Sequence, residues 1–264
     1  MKFKDFLNES VKTTVQPKTK DELKKIIEDT IEEQGFKCDL NFIDTFAITD
    51  MSELFYKSKF NGDISQWNVS KVENMSSMFD ESNFNGDISK WNVSKVKDMK
   101  GMFYKAKFNG DISKWNVSNV RNMSYMFDES NFNGDISKWN VSKVKDMEGM
   151  FFKSDFNGDI SEFDVSNVRN MSTMFCKSEF NGDISTWDVS NVRDMYCMFA
   201  SSKFNGDISQ WNVSKVKDMT GMFKGSKFNG VISKWNVSKV ENTYCMFKKS
   251  PLEGNEPNWY KERK

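Results

Sequence analysis

The side chains that could do chemistry in this sequence recur at a fixed interval. Asp63, Asp87, Asp111, Asp135, Asp159, Asp183 and Asp207 stand 24 residues apart, each at the end of Phe-Asn-Gly-Asp. Stacked at about 5 Å, such a column has the oxygen donors that calcium takes. The preferred reading is a turn, in which each Asp accepts backbone or lysine hydrogen bonds, and the eighth copy has Val231 in its place. The sequence contains no histidine, which excludes imidazole-based triads and histidine-ligated zinc. Cys38, Cys176, Cys197 and Cys245 form no C-x-x-C pair. Cys197 and Cys245 share a repeat position two coils apart, a span of roughly 10 Å that a disulfide does not bridge, so free thiols are expected. The Asn-Gly turns lack the lysine of a phosphate loop. No catalytic, cofactor-binding or metal-binding residue is assigned, and the chain reads as a non-enzyme.

These residues are positioned by a repeat. Phe-Asn-Gly begins at Phe60, Phe84, Phe108, Phe132, Phe156, Phe180, Phe204 and Phe228, with no insertion between copies. A strict period of this size means one supersecondary unit stacked on copies of itself. Residues 60–251 hold eight full copies, numbered here as coils one to eight. Residues 36–59 are a divergent first copy and 252–264 a truncated last one. Within coil one, Ile64, Trp67 and Val69 follow strand-like alternation. Val72, Met75, Met78 and Phe79 follow the spacing of a short helix or 3₁₀ segment. Asn61-Gly62 is expected where the chain needs positive φ, with Ser70 as a helix cap. The expected fold is an α/β solenoid, a leucine-rich-repeat-like right-handed superhelix with a parallel sheet on one side and short helices or 3₁₀ turns on the other. Strands stack more closely than helices, which would make the sheet side concave. Thr19 to Glu22 read as a capping box and Gly35 as a stop, giving a helical cap over 17–35. Residues 1–16 are expected to be a flexible tail.

The unit F-N-G-D-I-S-x-W-N-V-S-x-V-x-x-M-x-x-M-F-x-x-S resembles the BspA-type leucine-rich repeats of bacterial surface proteins, with members also in phages. The resemblance covers about 36–259. It implies a leucine-rich-repeat solenoid with protein-binding roles, no intrinsic catalysis and a usual location at the cell surface. Neither a secretory signal nor a wall or lipid anchor is visible, and no apolar run is long enough to cross a membrane. A soluble protein of a host cytoplasm or a virion is therefore expected. Met1–Ser10 resembles the leader of internal head proteins of large tailed phages, where a maturation protease cuts after L-x-E. Here that places the cut between Glu9 and Ser10. The Asn-Val-Ser triplets match a glycosylation sequon but are repeat residues.

Basic and acidic residues balance at 38 each, so no bulk charge favours nucleic acid or a membrane surface. Invariant positions report the fold, and variable positions report the surface. The sixth residue after each leading Phe includes Lys90, Lys114, Lys138, Glu162 and Thr186; the eighth is Asn except for Asp164 and Asp188, and Phe163 replaces the ladder Trp. This mixed-charge strip, Lys90, Lys114, Lys138, Glu162, Phe163, Asp164 and Asp188, is the candidate surface for a protein partner. A second basic line holds Lys97, Arg121, Lys145, Arg169, Arg193 and Lys217. Lys100, Tyr125, Phe152, Cys176, Tyr196, Cys197, Tyr244 and Cys245 sit at the changing positions of a second stripe, largely apolar and suited to self-association. The expected function is a non-catalytic module that binds a partner protein, phage-encoded and acting on a host factor. The alternative is a structural or adhesive component of a virion or cell surface.

Overall fold

In the computed structural model of the chain, which describes residues 14–262, each 24-residue coil is built from a run of tight turns. Coil one shows the rule. Asp63 Oδ1 accepts the Ser65 N–H at 2.9 Å, and the Trp67 N–H closes a turn on the Ile64 carbonyl at 3.1 Å. Asn68 Oδ1 accepts the Ser70 N–H at 3.1 Å, and Val72 closes on Val69 at 2.9 Å. Asn74 Oδ1 accepts the Ser76 N–H at 3.0 Å, and Met78 closes on Met75 at 3.2 Å. Ser82 closes on Phe79 at 3.1 Å, and its hydroxyl then accepts the Phe84 N–H at 2.9 Å. Asp, Asn and Ser side chains mimic a backbone turn in this way, so they punctuate the repeat at its corners. The last two turns carry a left-handed third residue, Ser77 at φ 52° and Glu81 at φ 53°, as type II geometry requires.

The expected α/β solenoid with a parallel sheet and short helices is therefore not the fold. Among the described residues the helices are α1, Lys20–Gln34, and α2, Asn258–Lys261. Strand pairing is reduced to isolated parallel bridges, one per coil from Asp50↔Asn74 to Asp218↔Asn242, with Asp39↔Asp63 and Val15↔Ile43 beside them. The i, i+3 spacing that suggests a helical face arises because the first and fourth residues of successive turns both point inward. With neither extended strands nor helices along the coils, no sheet side stacks more closely than a helix side, and the expected concave sheet face does not form. Asn61-Gly62 does not sit at positive φ either. A Cβ on Gly86 would lie 2.9 Å from the Phe84 ring, so the glycine is there to let its own phenylalanine fold back over it.

Stacking uses the N–H groups that the turns leave over. Met75, Ser77, Phe79 and Glu81 donate to Asp98, Lys100, Met102 and Tyr104 of the next coil at 2.7–3.0 Å, while the alternate residues close turns within their own coil. On another side, the Asn85 N–H reaches Asn61 Oδ1 at 2.8 Å, a contact repeated along the array to Asn229. The core is a set of like-on-like ladders. Trp67 and Trp91 stack at 6.4 Å and 2°, and Phe60 and Phe84 at 6.2 Å. Each ladder indole also donates backward, Trp91 Nε1 to the Ile64 carbonyl at 3.2 Å, so a buried polar group is satisfied between coils. Ile, Trp, Val, Met and Phe at the repeat positions are buried from end to end, each worth about 1.5–3 kcal/mol when fully buried.

The two ends differ from the middle. Thr19 Oγ1 accepts the Glu22 N–H, and Glu22 accepts the Lys18 N–H at 2.6 Å. Gly35, at φ 84°, ends α1. The helix buries Leu23 and Ile27 against the divergent coil, where Lys20 Nζ donates to the Ser52 hydroxyl. Phe36 is 47 % exposed and does not take the place of the buried Phe60. Val15 is not part of a loose tail: it exchanges backbone hydrogen bonds with Phe42 and Asp44. At the other end Trp259 extends the ladder, stacked on Trp235 at 6.5 Å with Nε1 donating to Ile232.

Candidate interaction surface

The turn Ile-Ser-x-Trp puts its third residue at an exposed corner. Gln66, Lys90, Lys114, Lys138, Glu162, Thr186, Gln210 and Lys234 all project there in register, with Asn68, Asp164, Asp188 and their counterparts two residues on. The structure thus brings Lys90, Lys114, Lys138, Glu162, Asp164 and Asp188 onto one face. It removes Phe163 from it, since that ring is 3 % exposed and lies in the core. Phe163 acts from beneath. It has no indole N–H, so the carbonyl of Ile136 keeps only its turn partner Trp139. At this change from Trp139 to Phe163 the face carries an open groove of about 320 Å³, lined by Ser137, Lys138, Trp139, Asn140, Val141, Glu162 and Asp164.

Among the described residues none of the six charges on this face forms an ion pair within 4 Å; the pairs formed lie elsewhere. Asp188 is held below the usual carboxylate range by hydrogen bonds from the Ser190 hydroxyl and N–H, so its charge is fixed. The seven-membered Asp column is depressed in the same way, mainly by Ser backbone N–H groups and at Asp111 first by the Ser113 hydroxyl. Each carboxylate is engaged with its own turn. Among the described residues no three His, Cys, Asp or Glu side chains converge as metal ligands.

The second basic line runs beyond the Val69–Val72 turn. Its backbone forms a continuous column, Lys97 N–H to Glu73 at 2.8 Å and so on to Glu241 N–H on Lys217 at 2.7 Å. Acidic residues close both ends, with Lys97–Glu73 at 2.7 Å and Lys217–Glu241 at 3.0 Å. The apolar stripe is less uniform than the sequence suggests. Tyr196 and Tyr244 are exposed, Phe152 is half-buried and Cys176 is buried. Tyr125 turns its hydroxyl to Glu148. All four cysteines are free, and burial pushes the Cys176 thiol up to about 11.

Asp128 escaped the sequence reading. It is 6 % exposed, and its Oδ1, like that of Asp80, is buried without a hydrogen-bond partner. Burial and the neighbouring Glu129 push its carboxyl up to about 7. The signal at this position was mixed: sister coils carry Tyr104, Phe152, Cys176 and Ala200 but also Asp80, Lys224 and Lys248. Glu9 and Ser10, the expected processing point, lie outside the described residues. Among the described residues no helix is long and apolar enough to cross a membrane.

No curated protein and no solved structure matches the chain. Residues 22–131, 83–179, 107–203 and 153–259 each match the family described as "Mycoplasma protein of unknown function, DUF285". These overlapping matches, offset along the same repeats, run without a gap from 22 to 259, and the chain belongs to the DUF285 family.

Proposed function

We propose that this DUF285 chain is a non-catalytic module that binds a protein partner through the face formed by Lys90, Lys114, Lys138, Glu162, Asp164 and Asp188. The observation that carries the reading is the groove between coils four and five. It lies where the repeat departs from its own pattern in three adjacent residues, Glu162, Phe163 and Asp164. A repeat kept for architecture alone has no need to change its surface and its ladder at one point. Exposed charges without internal partners cost little to hold in water and gain from opposite charges across an interface. The non-catalytic reading rests on the sequence, which lacks histidine and ties its repeated carboxylates into turns.

The test is affinity capture from host lysate with the chain and with a K114E/K138E variant, followed by mass spectrometry and titration of the captured protein. The expected result is at least a tenfold loss of affinity with an unchanged far-UV spectrum and melting temperature. Unchanged affinity would remove this face from the proposal.

A further inference from the structure

We infer that the face fits a second copy of the same chain, docked antiparallel about a two-fold axis through the groove between coils four and five. This rests on the reading of the face as an interaction surface and names its occupant.

Going along the stack, the face presents Lys90, Lys114 and Lys138 on coils two to four, then Glu162, Asp164 and Asp188 on coils five and six. The two sets are equal in number and opposite in sign. Among the described residues none of the six forms an ion pair within 4 Å, and the Asp column that lies near the three lysines runs through coils two to six alike, so it leaves the change of sign along the stack in place. An axis lying in the face and perpendicular to the stack sets coil four against coil five, three against six and two against seven, and leaves each corner facing its own counterpart. Lys138 then meets Glu162 of the second copy, with Asp164 beside it. Lys114 meets the coil that carries Asp188, and Lys90 meets the neutral Gln210.

Pitch matching makes this more than a pairwise coincidence. Both surfaces have the same spacing, because every coil is held to the next by the same backbone hydrogen bonds, so alignment at one coil aligns the others. The alternatives are worse. A two-fold parallel to the stack would set Lys138 on Lys138 and Glu162 on Glu162, which like-charge repulsion disfavours. The antiparallel arrangement is isologous and closed, using one patch on each copy. The basic line from Lys97 to Lys217 lies beyond the next turn and outside the contact. The groove of about 320 Å³ between coils four and five falls on the axis.

The test is sedimentation velocity of the full chain at about 50 mM and about 500 mM salt, since the screening length falls severalfold over that range. At low salt the expected mass is twice 30.8 kDa, and high salt returns the monomer. K138E carries carboxylates at both central positions, and E162K carries ammonium groups at both. Each alone is expected to stay monomeric at low salt, and an equimolar mixture of the two to sediment as a dimer. A wild-type chain that is monomeric at both salts overturns the inference. So does a dimer that the single variants leave intact, or a mixture that fails to associate. If the wild type is monomeric yet the same variants lose a captured host protein, the second copy is excluded and the reading of the face stands. If they change neither mass nor capture, both fall.

Discussion

Asp128 shows how one residue can work against its own repeat. The unfolded carboxyl titrates near its ordinary value of about 3.9, while the folded one is raised to about 7 by burial. The native state therefore binds the proton more tightly. The associated stability is fully present below about pH 4, is lost as pH rises to about 7, and stays lost above. Asp128→Asn removes the charge without changing shape. The melting temperature of the variant is expected to draw ahead of wild type between pH 4 and 7 and to keep that lead at pH 8, measured by scanning fluorimetry across the range. Two parallel curves would show that Asp128 does not titrate in the fold. At the same scale Phe163 is a core residue whose effect on the surface is indirect. The repeat register already put Phe163 at the inward Trp position, so counting it with the surface charges set aside what the period itself says.

At the scale of the element, the unit is the tight turn. Trp67, Val72, Met78 and Ser82 each donate an N–H to the residue three before, and this spacing is shared by 3₁₀ segments, one face of a helix and a run of turns. What separates them is φ. A left-handed residue recurs twice per coil, and at the first of these places the coils carry Ser77, Gly101, Tyr125, Gly149, Thr173, Cys197, Gly221 and Cys245. Three glycines among eight are a readable signal for positive φ, masked because the other copies carry residues that rarely adopt it. Thr173, β-branched at φ 55°, is the most strained by type, since branching at Cβ crowds the left-handed region. Thr173→Gly is expected to stabilise the chain by about 1 kcal/mol, read as a higher urea midpoint at constant slope. A lower midpoint would mean that the threonine contacts outweigh the strain.

At the scale of the molecule, stability is a sum over coils and the contacts between neighbours. Removal of residues 132–155, one whole coil, leaves every ladder in register. The shortened chain is expected to fold with the same far-UV spectrum and a lower unfolding midpoint, whereas deletion of 132–143 shifts the later coils by half a period, sets Asp159 and Glu162 against the Met positions and should abolish cooperative unfolding. Equal behaviour of the two deletions would refute stacking in register. The sequence by itself determined the period, the extent of the array and the inward residues, because burial of like on like leaves a periodic pattern in side-chain type. It also marked α1, whose hydrogen bonds are local. Only the tertiary structure decided the backbone between. A helix satisfies its N–H groups within its own segment, but the N–H groups of Met75, Ser77, Phe79 and Glu81 find their acceptors in the next coil, and those acceptors exist only once the coils have stacked.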